Sequence, residues 1–81
     1  MTINTVNIIG GKGAMGRFFH HRLQSRGIET QSLDKPLNRQ DLARNLSGTD
    51  LVLLAVPIQA MQEVLALLSP VLEPRTILAD I

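Results

Sequence analysis

At 81 residues, with 44% hydrophobic and 19% charged side chains, the chain has the make-up of one small folded domain, not of a disordered segment. Its net charge is +1, from eight basic and seven acidic residues, and it has no Tyr or Trp; this excludes the basic, aromatic-studded surface of a nucleic-acid binder. The lack of Cys excludes a disulfide framework and a thiolate metal site, and fits a reducing compartment. Met1 to Asn4 lacks the basic region of a signal peptide, and the longest apolar run, Leu51 to Val56, is too short to span a bilayer. The expectation is a cytoplasmic protein with no membrane partner.

Val6 to Ile9 is a short β-branched run stopped by Gly10-Gly11, the pattern of a buried strand. A helix is predicted from Ala14 to Arg26, with Met15, Phe18, Phe19, Arg22 and Leu23 on one face and Phe18 and Phe19 buried. Gly27 supplies its C-terminal stop. Ile28 to Leu33 is the second strand. It is a weak one, since Thr30 and Ser32 stand where larger apolar residues would pack better. Lys35-Pro36 breaks the chain there, and Asn38 is the expected N-cap of a short helix from Arg39 to Leu46.

Leu51 to Val56 is apolar on both faces, as a central parallel strand must be, and Pro57 ends it. The next helix carries Met61, Val64, Leu65 and Leu68 on one stripe, with Gln59 as a possible cap. Thr76 to Ala79 begins a fourth strand. Strands alternating with helices imply an α/β chain with a parallel sheet and right-handed crossovers. The third strand is the most apolar, which places it centrally in the order 2-1-3-4.

Gly11-Lys12-Gly13-Ala14-Met15-Gly16 matches G-x-G-x-x-G directly after a strand and at the opening of a helix, the setting of a dinucleotide fingerprint. In that reading Gly11 makes the tight turn, Gly13 lets the backbone approach a pyrophosphate, and Gly16 lets the helix pack closely on the strand. Free N–H groups at the helix start would bind the phosphates. Lys12 and Arg17 are read as solvated surface charges.

Asp34 closes the second strand at the ~20-residue separation at which such sites carry their ribose-binding acid. A carboxylate there favours NAD and repels the 2′-phosphate of NADP, although the neighbouring Lys35 leaves NADP open. Val56-Pro57-Ile58 should border the same crevice beyond the third strand. His20 and His21 diverge on the helix and are read as exposed or partly packed, with neither catalysis nor a shared metal assigned to them. The fold expected for residues 1–81 is a Rossmann-like open sheet of about four strands with helices on both faces.

The run from Ile8 to Phe19, with its G-G-x-G-x-M-G-R core, resembles the opening of the prephenate dehydrogenases, and of the bacterial branch often fused to chorismate mutase. Asp34, the L-V-L-L-A-V-P-I segment from Leu51 to Ile58, and Thr76 to Asp80 follow at that family's spacing. The resemblance implies NAD-dependent oxidative decarboxylation of prephenate to 4-hydroxyphenylpyruvate in tyrosine biosynthesis. It implies cofactor roles for Gly11, Gly13, Ala14, Met15, Gly16, Asp34, Val56 and Pro57, and a homodimeric parent.

The family's catalytic histidine and its helical substrate domain have no counterpart here, so the chain is expected to be a partial, inactive nucleotide-binding domain. Rival readings are an arogenate dehydrogenase, another NAD(P)-dependent oxidoreductase such as a β-hydroxyacid dehydrogenase or a pyrroline-carboxylate reductase, and a stand-alone nucleotide-binding module without chemistry.

Overall fold

Val6, Ile8 and Ile9 are almost wholly removed from solvent, so the strand they belong to has neighbours on both edges and cover on both faces. The computed structural model describes residues 2–81. Its elements alternate as β1 (Thr5–Ile9), α1 (Ala14–Ser25), β2 (Glu29–Leu33), α2 (Arg39–Leu46), β3 (Leu51–Leu54), α3 (Ile58–Leu68) and β4 (Ile77–Asp80). All strand pairs are parallel, in the order β2-β1-β3-β4. The architecture is the expected Rossmann-type open sheet, with the reversal of strand order falling between β1 and β3.

Side-chain alternation divides the strands between two layers. Ile9, Val52 and Leu54 meet Leu42 and Leu46 of α2 and Val64 and Leu68 of α3, forming the main core. Val6 and Ile8 point to the other face, on which α1 lies. The register pairs Ile8 with Ser32 and Ile9 with Leu33, so Thr30 and Ser32 face α1 while Leu33 joins the main core.

The element boundaries differ slightly from the sequence reading, each for a local reason. β3 ends at Leu54, not Val56, because β1 turns away at Gly10, whose φ is +88°. Beyond that point only the Ala55 N–H reaches across, donating to the Ile9 carbonyl at 2.8 Å. α1 stops one residue early, at Ser25, and Gly27 adopts the left-handed conformation with φ +79°. The N–H of Ile28 then donates to the Leu23 carbonyl and that of Gly27 to the Gln24 carbonyl, closing a Schellman turn. Asn38 caps α2 as expected, its Oδ1 accepting from the Asp41 N–H at 2.9 Å. Gln59 does not cap α3; the N-cap is Pro57, without a side-chain bond.

One expectation about packing is overturned. Met15 and Phe18 are each 57% exposed, and the only fully buried residue of α1 is Gly16. The face α1 turns to the sheet runs through Gly16, Phe19, His20 and Leu23, a stripe rotated by one residue from the apolar one. Close approach decides this: the helix comes nearest to the sheet where it has no side chain, and the bulky residues beside that seam are displaced outward. Phe18 and Phe19 stay in edge-to-face contact, with ring centroids 5.3 Å apart.

Candidate functional site

The carboxyl ends of β1, β2 and β3 open on one side of the sheet, and the glycine loop crosses between them. Gly10 N–H donates to the Leu33 carbonyl at 2.8 Å, tying the exit of β1 to the end of β2. The sharp turn is made by Gly10 and not, as expected, by Gly11. A Cβ on Gly10 would stand 2.6 Å from the Ala55 carbonyl oxygen, and its φ is one that only glycine enters cheaply.

The three fingerprint glycines have different surroundings. At Gly16 a Cβ would lie 2.6 Å from both the Gly10 carbonyl oxygen and the Gly11 Cα, so any larger residue would push α1 off the loop. At Gly11 a Cβ would run into the Ser32 side chain, well inside contact distance. At Gly13 the nearest atom to such a Cβ is the Gly10 carbonyl oxygen at 3.8 Å. Gly11 and Gly16 are therefore required by the protein's own packing. Gly13 is not, and the space beside it opens outward.

Gly13 is also the N-cap of α1, in an extended conformation with no side-chain cap. No acidic residue stands in the first turn, so the N–H groups at this helix start meet no competing carboxylate. Ala14 and Met15 contribute main chain here, and their side chains are exposed.

Asp34 lies against the loop from the β2 side. Its Oδ1 accepts a hydrogen bond from the Lys12 N–H at 3.0 Å, and the side chain is half-buried. A cleft of about 400 Å³ runs from there across the sheet edge, lined by Gly10, Gly13, Asp34, Lys35, Leu37, Val56, Pro57, Ala60 and Val64 among others. Of the residues singled out in the sequence, Gly13, Asp34, Val56 and Pro57 thus border one cavity. Gly11 and Gly16 are buried behind it. A polar hollow of similar volume at the opposite edge of the sheet, around Asn7, Gln31 and Thr49, has no glycine loop or open helix start.

Three features of this region were missed in the sequence. Leu37 and Ala60 supply apolar walls from the segments after β2 and β3, and no spacing rule marks them. Lys12 acts through its main chain. Ser32, read only as a poor strand residue, packs beneath Gly11 and shares a hydrogen bond with His20 Nδ1 at 2.5 Å. His20 is accordingly partly packed.

No protein-family model matches the chain. In sequence it is 37% identical over 71 residues, or 88% of its length, to the T-protein of Enterobacter agglomerans. The chain resembles a segment of a bacterial T-protein. That likeness upholds the resemblance carried by the glycine loop and the V-P-I turn. The chain spans 19% of the T-protein's length.

Among solved structures, a semialdehyde dehydrogenase NAD-binding protein from Cupriavidus necator, in complex with calcium and NAD, matches 99% of this chain with a TM-score of 0.76. Identity is 20% and the match covers 33% of that chain, so the likeness is one of fold.

Proposed function

We propose that this chain is the nucleotide-binding portion, residues 1–81, of an NAD-dependent prephenate dehydrogenase. The parent enzyme would oxidatively decarboxylate prephenate to 4-hydroxyphenylpyruvate as a cytoplasmic homodimer. The observation that carries the reading is the meeting of Asp34 with the glycine loop at the mouth of the cleft, opposite Val56 and Pro57. The likeness to the T-protein supports the choice of substrate.

The residues present fit a dinucleotide. The uncapped start of α1 offers N–H groups to a pyrophosphate, and Gly13 leaves room for it. Asp34 Oδ1 is held by Lys12 N–H, which leaves Oδ2 free to accept from a ribose hydroxyl. The apolar walls at Leu37, Val56 and Ala60 suit a planar base and exclude water from it. Bound NAD supplies the hydride acceptor. The chain's own contribution is to bind and orient it and to set its preference for an unphosphorylated ribose.

Calorimetric titration with NAD and with NADP, beside Asp34→Ala and with folding followed by circular dichroism, tests this. NAD should bind, NADP should bind more weakly, and the variant should lose about 1.5–3 kcal/mol, the scale of hydrogen bonds to a charged group. A folded chain that binds neither nucleotide would overturn the proposal.

A further inference from the structure

Ser32 and His20 lie outside the cleft, and the dinucleotide reading uses neither, yet both bear on the loop from behind. Gly10-Gly11 is held between two surfaces. On one side Gly16 of α1 approaches so closely that a Cβ would stand 2.6 Å from the Gly11 Cα. On the other, the Ser32 side chain of β2 fills the space a Gly11 side chain would need. His20 sits one helical turn after Gly16 on the same face of α1, and its Nδ1 shares the 2.5 Å hydrogen bond with Ser32 Oγ.

Loop, helix and second strand are thereby joined in a closed circuit: Gly16 against Gly11, Gly11 against Ser32, Ser32 to His20, and His20 back along α1 to Gly16. We infer that the Ser32–His20 pair is a positioning device for nucleotide binding, which sets how far the start of α1 stands from β2 and hence where its N–H groups point. This rests on the dinucleotide reading of the cleft. It also accounts for Ser32 itself: a larger residue there would collide with Gly11, and Ala would leave the His20 ring nitrogen unpaired beside the sheet.

The test uses the isotopically labelled chain. Amide resonances of Gly10 to Gly16 are followed in the wild type, Ser32→Ala, His20→Ala, Gly11→Ala and the double variant Gly11→Ala/Ser32→Gly, and NAD affinity is measured on each. Ser32→Ala and His20→Ala should each shift the loop amides and weaken NAD by about three- to tenfold, and removing both should cost little more than removing one. Gly11→Ala should weaken binding more severely. Adding Ser32→Gly should restore most of it, because the closest remaining strand atom is then the residue-32 Cα at 3.4 Å, an ordinary contact.

That rescue is the readout a general loss of stability would not produce. Loop amides and affinities unchanged in both single variants, or a Gly11→Ala defect that Ser32→Gly leaves untouched, would overturn the positioning role. If the wild type binds no NAD, the dinucleotide reading falls, and the loop amides alone decide whether the pair positions the loop.

Discussion

Two glycine residues of one motif should respond in different ways to the same added methyl group. Gly16→Ala places a Cβ 2.6 Å from main-chain atoms of the loop, which cannot rotate away. It should destabilise the fold by about 1–3 kcal/mol, the usual cost of overpacking, read as a lower urea midpoint. Gly13→Ala has its nearest neighbour at 3.8 Å and should leave that midpoint nearly unchanged while weakening NAD binding, because its methyl enters the space left for the pyrophosphate. Equal effects on stability would show that Gly13, too, serves packing alone. The spacing of these glycines was legible in the sequence; their division of labour was not. Which atom opposes Gly11 depends on Ser32 of a strand distant in sequence, and periodicity carries no signal for such a contact. Gly10 was passed over for a similar reason, since its φ of +88° answers to the Ala55 carbonyl across the sheet.

Strands and helices were more readable than single contacts, because each announces itself by a run of neighbouring residues. The strand order followed from the apolar strength of Leu51 to Val56, and the position of α2 from Asn38. What failed was the facing of α1: the apolar stripe pointed to Met15 and Phe18, but the helix is seated by Gly16, and hydrophobicity does not register a residue that packs by its absence of side chain. α2 offers a direct test of reasoning at this level. Asn38 Oδ1 accepts from the Asp41 N–H, and Asn38 Nδ2 donates to Asp41 Oδ2 at 2.7 Å, so cap and first turn brace each other. Asp41 also places negative charge at the positive end of the helix. Asn38→Ala should cost about 1 kcal/mol in urea unfolding. The loss reaches the whole domain because α2 delivers Leu42 and Leu46 to the core. A change confined to helical content, with the same unfolding midpoint, would mean that α2 is held by packing alone.

At the scale of the whole molecule the sheet is tied at both ends, and the end away from the cleft is tied by one carboxylate. Asp50 Oδ2 accepts from the N–H groups of Asn4 at 2.8 Å and Thr5 at 3.2 Å, while Oδ1 accepts from Arg75 at 2.8 Å. The entries to β1, β3 and β4 thus meet at a single side chain. The backbone donors of Asn4 and Thr5, helped by the Arg75 charge, outweigh the effect of burial and hold Asp50 below its ordinary value of 3.8. A carboxyl that is more acidic folded than unfolded binds its proton preferentially in the unfolded chain. Its contribution is therefore complete above the ordinary value and is lost as pH falls through the lower folded one. A domain of this size has roughly 4–12 kcal/mol of stability in all, so an acid-sensitive tie across three strand entries should be visible. Urea midpoints measured from pH 7 down to pH 2.5 should hold steady and then decline below about pH 4. Asp50→Asn should begin lower at pH 7, since the amide accepts less strongly and cannot pair with Arg75, and should then decline less steeply. A variant that starts lower but falls in parallel with the wild type would assign the acid sensitivity to the other carboxylates and leave Asp50 a neutral hydrogen-bond acceptor in effect.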